Sequence, residues 1–541
     1  PVPGLVVRAV TAMTWPRRWR IVLLAAGLLL VVRALQVRVP QLARPFWNDE
    51  CVHSAAILRA PSLRLLPKYI SYTSQPVLES ALRREVWFPL LGWQERALRL
   101  PSLVYSVLAL LSGLGLAVAV LRRRGVPPSA VVLGASLAGL WLVNHPTEGY
   151  LSAEARHYTF VSLVSLWWFS AWLLWERCPP ALFALLSLIF ANAHFFALPL
   201  IATAYALDAP REFRRGGLLA LAWHASWVFA VFYLTRRANI AALNLLAASP
   251  PGHAPGWHWS SIAAGLGLYR QLQDFVHLPV PVLVVWAALC FAWRRSRVLN
   301  LLVVSFLFMP AFLVFSSVRS DYPFGWRYFM PFFGLGFVSV VLACCHGYRL
   351  WEWARVRRPV LSGGAGSWVL ALALLVLFKA PASAWGLIRS GGALTLPLAN
   401  SSPYFHMYEE IKRVDRPVMI LRKCPWGDDV TDLYLDHIGV RFPRRAALVY
   451  DGMAGLTRRD AARLIERFPV EHPDGLVVLD RKEEECPDVS PPRRPGAARV
   501  WRIPGERICV WYVQGARDAA EIRRIARAVG LAAIELLWTA P

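Results

Sequence analysis

Charged side chains are scarce in this sequence. Asp, Glu, Lys and Arg make up 17% of the 541 residues, whereas about 25% is usual in a soluble globular domain. Apolar residues make up 56%, and the mean hydropathy is +0.42. This composition argues against an entirely soluble enzyme. It also excludes an intrinsically disordered chain, a collagen-like repeat and a small disulfide-stabilised scaffold.

Metal-binding and nucleotide-binding motifs are also missing. None of the 8 cysteines belongs to a Cys-x-x-Cys pair, so the sequence offers no typical zinc site. Neither a P-loop nor a Rossmann fingerprint occurs. Cys344 and Cys345 lie in an apolar run and are expected to be core thiols. Cys424, Cys486 and Cys509 follow the last apolar run, and two of them can form a disulfide if that part is extracytoplasmic.

Acidic residues are scarcest in the first 398 residues. That part contains 36 Lys and Arg but 13 Asp and Glu, whereas residues 399–541 contain 23 and 21. The net charge of +25 therefore arises in the hydrophobic part, where short arginine clusters separate apolar runs. Such loops orient multi-spanning membrane proteins, because Lys and Arg are enriched on the cytoplasmic side. We expect membrane lipids as partners, and no nucleic acid.

Eleven apolar runs are candidates to cross a bilayer core of about 30 Å as helices. All arginine clusters fall on the cytoplasmic side if the N-terminus is cytoplasmic and each interval between clusters holds two helices. The interval 181–207 is short, so we expect two short helices hinged near Asn192, His194 and Pro199. No cleavable signal peptide is expected, because the small residues lie inside the first run. The runs lie near 20–37, 98–121, 129–145, 158–176, 181–195, 196–209, 217–235, 279–293, 298–316, 326–345 and 367–386.

The predicted fold is mainly α, a polytopic transmembrane helical domain over 1–389 followed by an extracytoplasmic α/β domain over 390–541. The first extracytoplasmic loop is long, about 38–97, and its amphipathic stretches 51–60 and 76–93 resemble helices lying on a membrane surface. In the C-terminal part, apolar strand-like runs alternate with helical patterns. The strand-like runs are 417–421, 446–450, 475–479 and 508–513, and the helical patterns are 429–437, 458–468 and 518–531.

Acids in the hydrophobic part are informative, because charges at a membrane edge are costly and are usually functional. Asp49 and Glu50 directly follow the first predicted span, and His53 follows within one turn. Adjacent carboxylates point in different directions, so one can act as a base while the other orients a partner. Asp49 also suits the cap of the helix that follows, and both roles can hold together. The acids on the predicted outer side are Asp49, Glu50, Glu79, Glu85, Glu95, Glu148, Glu154, Asp274 and Asp321.

A second polar cluster, Ser152-Ala-Glu154-Ala-Arg156-His157-Tyr158, opens the fourth predicted span. Glu154 and Arg156 are two residues apart and would not face each other on a helix, so each needs another partner. The alternative is a solvated turn with an interfacial tyrosine. Glu95 and Arg99 have the spacing of a simple helical ion pair, and His194 is expected to be a packed core histidine.

A third cluster, residues 319–328, lies at the outer start of the tenth predicted span and ends in Arg327-Tyr328. Arginine holds a phosphate through two parallel hydrogen bonds and stays charged at any relevant pH. Arg327 therefore suits a lipid phosphate. It equally suits an anchor whose charged head reaches the interface from a helix end.

Taken in order, these elements resemble the GT-C superfamily of membrane glycosyltransferases, in particular the bacterial family 39 group that includes protein mannosyltransferases and lipid A aminoarabinose transferases. The resemblance covers about residues 10–345. It departs from the family where His-Pro-Pro-Leu-Tyr is common and this chain has Gln75-Pro76-Val77-Leu78-Glu79. The elements are Asp49-Glu50, Ser74-Gln75-Pro76, Arg99-Leu100-Pro101-Ser102, Ser152 to Tyr158, and Arg327-Tyr328.

The resemblance implies an inverting glycosyltransferase of a bacterial inner or plasma membrane. It would move a sugar from a polyprenyl-phosphate donor to a hydroxyl of a glycan, lipid or protein on the extracytoplasmic face. Asp49 would be the base and Glu50 an orienting or acceptor-binding group. No cofactor is implied, and a divalent metal is compatible with the outer acids but has no clear ligand set. The remaining substrate-binding residues would be His53, Gln75, Glu154, Arg156, Tyr158, Arg327 and Tyr328.

Three other functions stay open at the level of sequence. A lipid-linked oligosaccharide transferase or glycan ligase of the same fold would transfer a larger glycan and depend on a metal. A transporter or flippase would carry midplane charges and broken helices in two related halves, and no internal symmetry is visible here. A non-catalytic scaffold would bind partners through its C-terminal part.

Overall fold

The computed structural model describes the protein over a defined set of segments. The contacts group the chain into two compact units, one of Pro1–Gln41, Leu63–Arg83 and Arg99–Leu396, the other of Leu42–Ser62, Arg84–Leu98 and Pro397–Pro541. The described residues are 16–43, 48–70, 76–92, 94–173, 179–194, 197–198, 200–205, 225–226, 228, 330–357, 418–422, 446–450, 458–481, 499–503 and 509–528.

Helices dominate the described residues. A short 3-10 turn, Val39–Ala43, follows the first helix, and a π-helical turn, Arg83–Trp87, follows the fourth. The helices are α1 (Arg17–Arg38), α2 (Asn48–Arg59), α3 (Leu66–Ile70), α4 (Val77–Leu82), α5 (Phe88–Leu91), α6 (Glu95–Arg123), α7 (Pro128–Asn144), α8 (Pro146–Leu151), α9 (Tyr158–Leu173), α10 (Pro180–Ala193), α11 (Phe333–Arg357), α12 (Arg458–Glu471) and α13 (Ala519–Ala528).

Three helices among the described residues are long and apolar enough to cross a membrane: Arg17–Leu42, Glu95–Arg123 and Met330–Arg349. They coincide with the first, second and tenth predicted spans. Leu24 and Leu28 on α1 are 62% and 66% exposed, as expected of a helix surface that meets lipid rather than water. The chain is therefore consistent with a helical membrane protein. The predicted spans near 279–293, 298–316 and 367–386 lie outside the described residues.

Three further apolar helices, Pro128–Asn144, Tyr158–Leu173 and Ala181–Ala193, are shorter. They coincide with the third, fourth and fifth predicted spans. The break expected near Asn192 and His194 is present, because α10 ends at Ala193 and His194 has an extended backbone with φ −161° and ψ 129°. Helical residues resume at 197. The His194 side chain is buried, as expected for a core histidine.

Small residues allow the helices of the first unit to approach closely. A Cβ on Gly139 of α7 would lie 2.5 Å from a methyl group of Leu30 on α1. A Cβ on Gly334 of α11 would lie 2.4 Å from Ser165 Oγ on α9. Ser165 also donates a 2.9 Å hydrogen bond to the carbonyl of Pro331 and accepts one of 2.9 Å from the Gly334 N–H. Such contacts are typical of membrane helices, where close backbone packing replaces the hydrophobic effect.

Apolar side chains of α9 and the buried thiols of α11 complete the described core of the first unit. Trp168 and Trp172 stack with ring centroids 6.3 Å apart, and the Trp168 indole N–H donates to Ser187 on α10 at 2.9 Å. Cys344 and Cys345 are buried free thiols, which confirms the sequence prediction. Cys424 and Cys486 lie outside the described residues.

A five-stranded sheet lies in the second unit, with the order β2-β1-β3-β5-β4. Strand β1 pairs in parallel with β2 and β3, whereas β5 pairs antiparallel with β3 and β4. Four strands lie at the apolar runs expected to be strands, and α12 and α13 lie at two expected helical patterns. The fifth strand, β4, was not predicted, because two of its five residues are arginines. The strands are β1 (Val418–Arg422), β2 (Ala446–Tyr450), β3 (Leu476–Arg481), β4 (Arg499–Ile503) and β5 (Cys509–Gln514).

Candidate functional site

Buried polar groups of the first unit collect at one end of its helices. We call this the polar end: α1 and α7 end there, and α6 and α9 begin near it. Arg38, the last residue of α1, donates from Nη2 to the carbonyl of Leu142 near the end of α7 at 3.1 Å. Its side chain is 1% exposed. Nε and Nη1 of the same guanidinium have no hydrogen-bond partner among the described residues.

Glu148 is a buried acid at the polar end. It lies on the short helix α8, and both carboxylate oxygens accept hydrogen bonds from serine hydroxyls. Ser106 of α6 donates to Oε1 at 2.8 Å, and Ser162 of α9 donates to Oε2 at 2.7 Å. The imidazole Nδ1 of His145 accepts the Glu148 backbone N–H at 3.3 Å and caps the helix. One carboxylate therefore joins three helices.

Burial raises the pKa of the Glu148 carboxyl, because removal from water penalises the ionised form. The positive charge of Arg38 and the two serine hydrogen bonds act in the opposite direction and offset part of this rise. The ionised carboxylate is thus costly at this position. A costly ionisable group at the edge of apolar helices is a candidate for function.

The residues 152–157 form a non-helical turn between α8 and α9, which we call the 152–157 turn. Its backbone is held by side chains from two other segments. Arg83 Nη2 donates to the carbonyl of Arg156 at 2.9 Å, and Ser102 Oγ donates to the same carbonyl at 3.0 Å. Arg83 Nη2 also donates to Ser102 Oγ at 2.9 Å, and its Nε binds the Glu79 carboxylate. Two sequence motifs, the Arg-x-Pro-Ser element and this turn, therefore meet through Ser102.

Aromatic and cationic side chains cluster at the end of the 152–157 turn. The Arg156 guanidinium carbon lies 5.1 Å from the centre of the Tyr158 ring. The His157 ring stacks on the His194 ring with centroids 5.9 Å apart. Glu154, Arg156, His157 and Tyr158 are all buried. The turn is therefore packed and not a solvated loop.

The opposite end of the same helices is basic. Arg123 at the end of α6 donates to the carbonyl of Leu173 at the end of α9, at 3.2 Å. Arg349 on α11 donates to the carbonyl of Arg124 at 3.4 Å. Successive helices therefore alternate in direction, and exposed arginines lie at the end opposite to Glu148. This is the charge distribution that a bilayer-spanning bundle is expected to have.

The predicted acid pair lies in the second unit. Helix α2 begins at Asn48, so Asp49 lies inside its first turn and not at the cap position considered from the sequence. Glu50 and His53 are buried on α2, at 1% and 0% exposure. Their spacing of three residues puts them on one face of the helix. Gln75, Arg327 and Tyr328 lie outside the described residues.

Two groups at the polar end were not singled out from the sequence as site residues. Arg38 lies at the start of the predicted first loop, directly after the apolar run 20–37, and Glu148 is one outer acid among nine. Arg83 carried a usable signal, because it follows Glu79 by four residues and such pairs meet on a helix. No local sequence pattern predicts that Arg38 and Glu148 lie near each other, since the two residues belong to different helices.

The described residues contain no group of three or more His, Cys, Asp or Glu side chains arranged to hold a metal ion. No protein-family model matches the sequence, and no curated protein matches it. The resemblance to GT-C glycosyltransferases therefore rests on the residues of the motifs themselves.

Proposed function

We propose that the protein is an integral-membrane, inverting glycosyltransferase that takes its sugar from a polyprenyl-phosphate donor. The observation that carries the proposal is the contact between two of its motifs. Ser102 of the Arg-x-Pro-Ser element donates a 3.0 Å hydrogen bond to Arg156 of the Ser-x-Glu-Ala-Arg-x-Tyr turn. Two motifs that lie 54 residues apart in the sequence and share a buried contact support the proposed enzyme class more strongly than either motif alone.

The proposed topology has eleven spans, a cytoplasmic N-terminus and an extracytoplasmic α/β domain at residues 390–541. The polar end would then face the extracytoplasmic side, where a lipid-linked donor is available. The scarcity of acids elsewhere in the hydrophobic part and the basic opposite end support this orientation. A donor held in the bilayer can be reached only at such a membrane edge.

The proposed chemistry is a single displacement at the anomeric carbon. Asp49 removes the proton of the acceptor hydroxyl as its oxygen attacks, and Glu50 orients the acceptor. The bond from the anomeric carbon to the phosphate oxygen breaks, and polyprenyl phosphate leaves as the anion. An arginine, proposed as Arg327 beside Tyr328, stabilises that charge through a bidentate contact. One displacement inverts the anomeric centre.

The substrate site is proposed to include the side chains of the 152–157 turn and its neighbours. Glu154, Arg156 and Tyr158 offer a carboxylate, a guanidinium and an aromatic face, which are the groups that bind sugar hydroxyls, phosphate and sugar rings. His53 and Gln75 complete the proposed set. The acceptor is a hydroxyl of a cell-envelope glycan, lipid or protein.

Replacing Asp49 by Asn tests the proposal. The change is nearly isosteric and keeps a polar side chain of the same size near the helix start, so folding should be preserved. Loss of a general base typically slows the chemical step by about 100- to 10,000-fold. Purified full-length protein would be assayed for sugar transfer from a polyprenyl-phosphate donor, with donor binding measured separately. We expect the variant to bind donor and to transfer almost none of it.

Glu85→Gln is the matched control, because Glu85 is an acid of the same loop region that is 48% exposed and paired with Arg84. Its turnover should equal that of the original protein. Near-normal turnover by Asp49→Asn would exclude Asp49 as the base and leave Glu50 or Glu154 to be tested. Arg327→Lys, which keeps charge but loses the bidentate fork, should weaken donor affinity markedly.

A further inference from the structure

Arg83 lies at the centre of a set of buried hydrogen bonds at the polar end. Its side chain is 1% exposed, and Glu79 beside it is fully buried. Through Nη2, Arg83 reaches both the Ser102 hydroxyl and the carbonyl of Arg156 at 2.9 Å. Ser102 donates to that same carbonyl at 3.0 Å. The three groups therefore form a triangle, with the Glu79 carboxylate on the far side of the guanidinium.

The carbonyl at the corner of this triangle belongs to the peptide between Arg156 and His157. Displacement of the turn backbone at this peptide would carry both neighbouring side chains away from their present contacts. Arg156 would leave the face of Tyr158, and His157 would leave His194. Because the 152–157 turn lies outside the helices, no regular helical ladder fixes this peptide. The hydrogen bonds from Arg83 and Ser102 supply that restraint.

We infer that Glu79 and Arg83 are a positioning pair that sets the orientation of Arg156 and Tyr158 for substrate binding. This role rests on the proposed function, in which Arg156 and Tyr158 contact the donor or acceptor. Glu79 holds the guanidinium, and the guanidinium holds the turn. The pair acts through backbone, so neither of its members needs to touch substrate.

Glu79, the first member of the pair, lies in the segment in which the sequence departs from the family pattern. Glu79 occupies the last position of the segment Gln75-Pro76-Val77-Leu78-Glu79, at which the family commonly has tyrosine. A carboxylate at this place, one helical turn before Arg83, provides the counter-charge that a buried guanidinium requires. The π-helical turn begins at Arg83 itself, and such local widenings occur often at functional sites.

A guanidinium suits this role better than an ammonium. Its planar fork donates in fixed directions to Glu79 on one side and to the turn on the other. Lysine would keep the charge but offers one nitrogen, which cannot bond both sides in the same geometry. Glutamine removes the charge and most of the donors. Arg83→Lys should therefore make the 152–157 turn less rigid, and Arg83→Gln should make it less rigid still.

The test uses the full-length protein in lipid nanodiscs and a fluorescent long-chain polyprenyl monophosphate as the probe. Two quantities are measured for each variant: the affinity for the probe, and the hydrogen exchange of the backbone over 150–158. We expect Arg83→Gln to weaken probe affinity about tenfold, the size of effect expected for one or two lost hydrogen bonds. Exchange over 150–158 should rise in the same variant. Arg83→Lys should be intermediate in both measurements.

Ser102→Ala is the second variant, because it removes one side of the triangle and leaves the Glu79–Arg83 pair intact. It should weaken probe affinity and raise exchange over 150–158, both by less than Arg83→Gln does. It replaces Arg83→Gln as the test if that variant fails to fold. Arg84→Gln is the matched control. Arg84 is adjacent in sequence, and its ion-pair partner Glu85 is 48% exposed. Affinity and exchange should stay at their original values.

Glu79→Gln separates positioning from direct contact with the phosphate. If Arg83 touched the probe, removal of the neighbouring negative charge would strengthen binding. A positioning pair predicts weaker binding, because Arg83 is held less firmly. Tighter binding by Glu79→Gln, or normal affinity and exchange in folded Arg83→Gln, would overturn the inference. If the original protein does not bind the probe, the proposed function fails, and unchanged exchange in Arg83→Gln would then overturn the positioning pair as well.

Discussion

Glu148 shows how burial and charge compete at a single residue. Two serine hydroxyls satisfy its carboxylate oxygens, and Arg38 supplies a positive charge nearby. Burial nevertheless raises the pKa of Glu148 above its ordinary value of 4.5. The folded protein therefore holds this proton more tightly than the unfolded chain does. Stability from this group is complete below pH 4.5 and is lost as the pH rises through the raised pKa.

Replacing Glu148 by Gln should remove this pH dependence. Glutamine is neutral at every pH and keeps polar contacts for Ser106 and Ser162, whose hydroxyls can rotate to donate or accept. We expect the two proteins to melt at similar temperatures at low pH. As the pH rises above 4.5, the glutamine variant should become progressively more stable than the original. Thermal melting followed by tryptophan fluorescence at a series of pH values measures the difference.

Arg38→Met provides the control for that prediction. Without the arginine charge, the pKa of Glu148 should rise further, so the loss of stability should still begin near pH 4.5 but extend to higher pH and become larger. A difference between Glu148→Gln and the original protein that runs the other way would mean that attraction to Arg38 outweighs burial. The carboxylate would then act as a structural ion-pair partner.

At the scale of helices, close approach depends on residues without side chains. The Cβ of an alanine at Gly334 would lie 2.4 Å from Ser165 Oγ and 3.0 Å from the Ser165 backbone carbon. Ser165 cannot rotate away without breaking its hydrogen bonds to Pro331 and Gly334. The α9–α11 contact therefore has no room for one more methyl group.

Gly334→Ala should destabilise the protein by about 1–3 kcal/mol, the usual cost of overpacking a core. Gly149→Ala is the control, because a Cβ on Gly149 of α8 meets no atom within 4 Å. Alanine favours helix over glycine by about 1 kcal/mol, so the control should melt at the same or a slightly higher temperature. Equal melting of both variants would mean that α9 and α11 separate easily.

At the scale of the whole molecule, the arginines predict the orientation in the membrane. Arg123, Arg124 and Arg349 lie at the end of the helices opposite to Glu148. Cytoplasmic loops of membrane proteins are enriched in such residues. The basic end should therefore face the cytoplasm.

Reporter fusions test this orientation. A reporter that works only outside the cytoplasm should be active when fused after residue 541, and inactive when inserted after Arg124. A reporter that works only inside should give the reverse pattern. Activity of the residue 541 fusion only in the cytoplasm would put Asp49 and the C-terminal part on the wrong face for the proposed reaction.

Local patterns predicted the elements that depend on local forces. Apolar runs of sufficient length predicted α1, α6 and α11, because a buried helix satisfies its own backbone hydrogen bonds. The break at His194 was also predicted, from polar residues and proline inside an otherwise apolar stretch. In the C-terminal part, alternating apolar runs predicted β1, β2, β3 and β5. The charged run of β4 was missed, since its place in the sheet depends on pairing with β5.

Sequence by itself determined that this chain is apolar, helical and polarised in charge, and it identified Asp49, Glu50 and the 152–157 turn as candidates. These conclusions need only residue types and their spacing. Tertiary structure alone decided which polar groups meet: Arg83 with the carbonyl of Arg156, 73 residues away, and Ser106 with Glu148, 42 residues away. Hydrogen bonds of this kind depend on which helix ends lie together, and that is set by packing between helices rather than by any pattern within one.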